Sequence, residues 1–193
     1  MELTKALSKR NYKSLLWHAA FLALAKNFMD VDTIIPAMVI DAGGSSVHVG
    51  FLTAILLGVA KIAQFFFAPF LQNKEQKKGY LLLGINSRIL SLAALAVIFL
   101  FSGDLKQDII LLLIFVFITI FAISGSFANI SFTDILGKSV MQEKRKSFFS
   151  IKQAISNTGI LISAYLASRV LVVFDYPSNY SALFFIAAFS LLV

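Results

Sequence analysis

At 193 residues, 59% hydrophobic and only 14% charged, with a mean hydropathy of +0.85, the chain has too little polar surface for a water-soluble domain. Its lack of cysteine excludes disulfides, thiolate metal sites and cysteine nucleophiles together. The net charge of +7 does not point to nucleic acid, because the basic residues fall mainly in loops between apolar runs.

Residues 1–13 read as a cytoplasmic N-terminal segment carrying Lys5, Lys9, Arg10 and Lys13. The first apolar run, 14–40, exceeds the roughly 20 residues a helix needs to cross a bilayer core. Lys26, Asp30 and Asp32 lie near its middle. Residues 9–25 also imitate the charged, apolar and small-residue regions of a signal peptide. Cleavage there would leave an acidic stub ahead of the second run. A continuous first span, bent or opened near Pro36, accounts for more of the sequence. Gly43-Gly44 can end that helix, since glycine tolerates the left-handed cap, and Ser45 or Ser46 can cap the next.

The second run, 47–71, holds Lys61 and Gln64 at depth, and the third, 80–101, holds Arg88 in its inner half. The fourth, 109–132, contains Ser124-Gly125-Ser126, small residues that permit close helix packing. The charged stretch 134–147 is expected to form a short surface helix. The fifth run, 148–174, begins with Lys152, Gln153 and Asn157. A sixth begins at Ser181, with Ser178 or Ser181 as its cap, and reaches only Val193. Those 13 residues give about 20 Å of helix, short of a bilayer core of about 30 Å. The expectation is an all-α, polytopic bundle of five complete spans and a truncated sixth.

Charge sets its orientation. Lys5, Lys9, Arg10, Lys13, Lys74, Lys77, Lys78, Lys138, Lys144, Arg145 and Lys146 fall on one side, whereas the opposite loops hold only Lys106. Basic loops stay cytoplasmic, so the N-terminus is expected inside a cell inner membrane or plasma membrane.

Ionisable groups at membrane depth are costly and mark functional paths. Lys26 and Asp30, four apart on one helix, read either as an internal ion pair or as a cavity pair whose carboxylate takes a coupling proton or a substrate group. Lys61 cannot easily reach the surface and is expected in a cavity, with Gln64 and Asn157 as further lining. Arg88 is within reach of the inner surface, where pairing with the inner loops is expected, and Lys152 is expected at the interface. Asp32 lies on another face and is free for a neighbouring helix.

Several of these segments resemble the major facilitator superfamily of transporters. They are Phe28 to Pro36, Gly43-Gly44-Ser45, Gly50 to Ala54, Gln64 to Pro69, Asn73 to Gly79, Thr133 to Lys138, and Glu143-Lys144-Arg145. The family's inner loop reads Gly-x-x-x-Asp-(Arg/Lys)-x-Gly-(Arg/Lys)-(Arg/Lys). The matching positions are Ala68, Gln72, Asn73, Glu75, Gln76 and Lys77, of which only Lys77, beside Lys78, keeps the expected character. The fourth run also lacks the arginine of the family's proton-coupled drug exporters. The resemblance implies twelve spans in two six-span halves, this chain being the first and the second a missing partner. It also implies gating or structural roles for Asp32, Arg88, Asp134, Lys77 and Lys78.

Enzyme-like patterns fail. Gly137-Lys138-Ser139 has Phe132 where a phosphate loop needs its first glycine, and Ser124 has no histidine at its depth. No catalytic residue, metal site or cofactor is expected. The sequence reads as a secondary transporter of a small solute, anionic or zwitterionic, with H+ as the candidate coupling ion and the lipid bilayer as its surroundings. The alternative is an oligomeric six-span channel or membrane-embedded binding subunit.

Overall fold

Hydrocarbon offers no partner to a backbone N–H or C=O, so apolar runs of this length fold as helices that satisfy their own hydrogen bonds. The computed structural model describes residues 4–192, which form helices joined by short connections, with no strand among them.

Helix α1 (Lys5–Asn27) starts at Thr4, whose Oγ1 accepts the Leu7 N–H at 3.3 Å. It ends well before the expected span does. Residues 28–33 are opened, and helix resumes as α2 (Ile34–Asp41). The cause is Pro36 in the first turn of α2, which offers no N–H to the Asp32 carbonyl and crowds it. Asp30 organises the opening: its Oδ1 accepts the Asp32 N–H at 3.1 Å and the Thr33 hydroxyl at 2.7 Å.

Helix α2 closes in a Schellman cap, with Gly43 N–H on the Ile40 carbonyl at 2.9 Å and Gly44 N–H on that of Val39 at 2.8 Å. Gly43 has φ +85°, the left-handed conformation that favours glycine. The Ser45 N–H then donates to His48 Nδ1 at 3.0 Å, opening α3 (Ser46–Ala54). A π-helical turn, Ile55–Val59, joins α3 to α4 (Ala60–Gln72) in one rod, Ser46–Gln72.

Helix α5 (Lys78–Leu100) is followed by a 3₁₀ turn, Ser102–Asp104, then α6 (Gln107–Ser139) and α7 (Gln142–Val173). The separate surface helix expected over 134–147 does not form. Its residues extend α6 and open α7, with only extended Val140 and Met141 between them. The reason is that Lys, Glu, Gln and Arg are good helix formers, so polarity here does not mean loop. Arg145 bonds the Val140 carbonyl at 3.0 Å and that of Gly137, satisfying the end of α6. Helix α8 spans Ser178–Leu192. Neither expected serine caps it: Ser178 is its first residue, and Ser181 donates across to the Ala96 carbonyl of α5 at 2.8 Å.

Four helices are long and apolar enough to cross a membrane: Ser46–Gln72, Lys78–Leu100, Gln107–Ser139 and Gln142–Val173. Large apolar side chains such as Phe65, Phe66, Leu161 and Val172 face outward, as a bundle surrounded by lipid requires. Inside, Phe99 of α5 packs on Tyr180 and Phe184 of α8 at centroid distances of 5.4 and 5.9 Å. Gly84 allows α5 to approach α6 closely: a Cβ there would lie 2.8 Å from that of Ala128.

The packing follows a rule of exchange. The main partners are α1 with α7, α4 with α6, α5 with α8, α5 with α6, and α1 with α8. Exchanging α1–α2 with α6, α3–α4 with α7, and α5 with α8 turns α1·α7 into α6·α4 and α5·α6 into α8·α1. The pair α5·α8 maps onto itself.

The basic segments meet at one end of the bundle. Asn11 donates to the Ser139 carbonyl at 3.3 Å, Met141 N–H to Ser8 at 3.0 Å, and Lys77 pairs with Asp134. At the other end, Tyr180 donates to Asp41 at 2.6 Å and Gln107 to the Gly43 carbonyl.

Candidate functional site

Where α1 opens and the α3–α4 rod takes its π-helical turn, the helices line a half-open cavity of about 610 Å³. Its walls come from α1, the opening, α4, α5 and α6, with Lys152 from α7 and Leu191 from α8. Both irregularities belong to this wall. The π-helical turn has no proline to announce it, and Ser126 of α6 donates to the Ala60 carbonyl just beyond it at 2.5 Å. That contact holds the α4 segment bearing Lys61 and Gln64 against α6.

Lys26, Asp30, Asp32, Lys61 and Gln64 all line the cavity. Asn157 does not. It is exposed, and its Oδ1 accepts from Gln153 at 2.9 Å. Lys152 marks the cavity face of α7, and five residues of helix turn Asn157 about 140° away from it.

Lys26 and Asp30 are not on one helix, because α1 ends at Asn27. They form no ion pair, and the Asp30 carboxylate is engaged by its own turn. The pairs present among the described residues are Lys77–Asp134 at 3.1 Å and Lys138–Asp134 at 2.9 Å.

Arg88 departs furthest from expectation. It does not pair with the inner loops but lines the cavity, only 7% exposed. Its guanidinium lies over the Phe121 ring, 4.2 Å from the centroid, and its Nε has no hydrogen-bond partner among the described residues. Gly125 makes the room: a Cβ there would lie 3.2 Å from the guanidinium carbon. Lys152, too, turns inward, its ammonium 5.3 Å from the Phe132 centroid. The signal that could have found Arg88 was Gly125, a side-chain-free position on the neighbouring apolar run. The cavity wall therefore holds four cations, Lys26, Lys61, Arg88 and Lys152, against two carboxylates, Asp30 and Asp32.

At the basic end, Lys77 is buried and Lys78 opens α5 outside any ion pair among the described residues. Asp134 lies beyond the apolar run of α6. Partial burial pushes its carboxyl up, but contacts from Lys138 and Lys77 outweigh this and hold it below the ordinary carboxylate value. Thus the loop without the expected aspartate still makes an ion pair, through its lysine to an aspartate on α6. No cluster of three or more His, Asp or Glu suited to a metal ion occurs among the described residues.

Comparison with protein-family models, curated proteins and solved structures finds no match to this chain.

Proposed function

We propose that the chain is the N-terminal six-helix bundle of a secondary active transporter of the major facilitator type. It moves a small anionic or zwitterionic solute by alternating access, rocking against a second, C-terminal six-helix bundle. The observation that carries this reading is the exchange rule in the packing, centred on a charged cavity. If each unit of that exchange crosses the bilayer, each half makes three crossings, an odd number, so the second half enters from the opposite side. The repeat is then inverted, and inverted repeats around a midplane site with interrupted helices are the architecture of alternating access. The break in the first helical unit at the cavity wall fits that architecture.

In this reading Lys26, Lys61 and Gln64 face the solute, and H+ is the coupling ion, taken up by Asp30 or Asp32. In the same reading the N-terminus is cytoplasmic and the bundle sits in an inner or plasma membrane, an orientation that the clustered basic segments favour. Lys77 and Asp134 join two inner segments and act as gate or brace. The chemistry is movement, not bond breaking.

The test uses single cysteines in this cysteine-free chain, expressed with everything its reading frame encodes. Cysteines at Gln64 and Asn129 are labelled from each side of sealed vesicles with an impermeant thiol reagent. Alternating access expects labelling from both sides, with solute shifting the balance. Labelling from one side only, unchanged by solute gradients, overturns the reading in favour of a binding subunit, and labelling from both sides at once, insensitive to solute, overturns it in favour of a channel.

A further inference from the structure

We propose that Arg88, Lys26 and Lys152 form a subsite for a phosphoryl group carrying two negative charges, free as phosphate or borne by a small organic solute. The subsite deepens the transporter reading, and rests on it only for the claim that the bound group is cargo.

Arg88 is the anchor. A guanidinium buried at membrane depth without an acceptor is unstable unless something supplies the missing charge. Nothing in the described chain does: Arg88 makes no ion pair, and its Nε–H has no partner. Yet its seat is built. Phe121 offers a ring face beneath the plane, and Gly125 leaves the space a Cβ would crowd. A planar fork held flat in this way is suited to grip an oxyanion through two parallel N–H bonds.

Charge specifies the ligand further. Lys26 and Lys152 line the same cavity as Arg88, so three cations act on one region. The carboxylate of Asp30 is occupied by the Asp32 N–H and the Thr33 hydroxyl. Counting the whole wall, Lys26, Lys61, Arg88 and Lys152 exceed Asp30 and Asp32 by two charges. A monoanion would leave one positive charge of the wall uncompensated. A phosphoryl group, with about −1.5 to −2 charge at neutral pH and three acceptor oxygens, matches both the excess and the arrangement of donors. A cavity of about 610 Å³ leaves room for an organic remainder as well.

The experiment is a thermal-melt titration of the purified full chain in detergent, at constant ionic strength, with inorganic phosphate, glycerol phosphate, succinate and acetate. Inorganic phosphate and glycerol phosphate should each raise the melting temperature saturably, and acetate should not. Arg88→Gln and Lys152→Gln should weaken apparent phosphate affinity by about tenfold or more, the scale of a lost charge-assisted hydrogen bond. Arg88→Lys keeps the charge but not the fork, and should weaken it less. Gly125→Ala removes no charge and should still weaken it, by displacing the guanidinium. Lys106→Gln, outside the cavity, should leave it unchanged. Absence of any saturable phosphate shift, a shift that survives both Arg88→Gln and Gly125→Ala, or a response to succinate alone would each overturn the subsite. Phosphate binding without uptake into proteoliposomes would keep the subsite and remove the cargo claim. Transport of another solute without phosphate binding would do the reverse.

Discussion

Lys77 turns its ammonium inward at the basic end, 7% exposed, against an Asp134 that keeps 28% of its side-chain surface. Removing one partner of a buried pair strands the other charge, whereas removing both does not. Asp134→Asn should therefore cost about 1–3 kcal/mol, below the loss for fully buried pairs because the carboxylate is partly solvated. Adding Lys77→Met should recover much of that loss in a double-mutant thermal-melt cycle; strict additivity would mean the two residues do not interact. The pair also sets an acid limit. The unfolded chain takes a proton on Asp134 near the ordinary value of 3.8, while the folded chain resists it to lower pH. The contribution is thus complete above that value and fades as pH falls through the lower, folded one. Melts taken from about pH 5 to pH 2 should show wild type losing more stability than Asp134→Asn.

At the scale of elements, close approach of α5 and α6 depends on Gly84, where a Cβ would meet Ala128 at 2.8 Å, backbone included. Gly84→Ala should destabilise by about 1–3 kcal/mol through overpacking. Gly50→Ala, with nothing within 4 Å, should be neutral or stabilise by up to about 1 kcal/mol. Equal effects in the same unfolding assay would remove the packing role of Gly84. These elements also show what could be read from the chain. The apolar runs announced their helices because hydrocarbon permits little else, and Gly43 announced its left-handed cap. Pro36 located the break to within a few residues. The π-helical turn left no trace, because Ile55–Val59 is as apolar as its surroundings and nothing local forces the extra residue. Position along a helix could be read from the chain, but direction around it could not. Arg88 and Lys152 were therefore read as facing the inner surface, and Asn157 as facing the cavity. Which way a helix turns depends on partners far off in sequence, such as Gly125 for Arg88.

For the whole molecule, the basic segments gather at one end and the connections 42–45, 101–106 and 174–177 at the other. If charge orients the bundle, a cysteine replacing Lys106 should react with an impermeant reagent in intact cells. Cysteines replacing Lys74 or Lys144 should react only after the membrane is opened. The reverse pattern would invert the protein. Lys77 is a poor reporter despite its place in the same loop, since it is buried in its ion pair.

The interruption between α1 and α2 bears on how the chain is made. Lys26, Asp30 and Asp32 each oppose release from the translocation machinery into lipid by about 2.5–3.5 kcal/mol at mid-span. Neither α1 nor α2 is among the helices that cross on length and apolarity. What α1 packs against is chiefly α7 and α8, which the ribosome makes after every other described helix. Nascent chains arrested after Asp41 should be stripped from microsomes by alkaline carbonate, and chains reaching Leu192 should resist. Resistance of the short chain would show that it enters lipid unaided. Otherwise the α1–α2 stretch must linger at the water boundary, sheltered by chaperone or headgroups, and takes its seat only once α7 and α8 have been made.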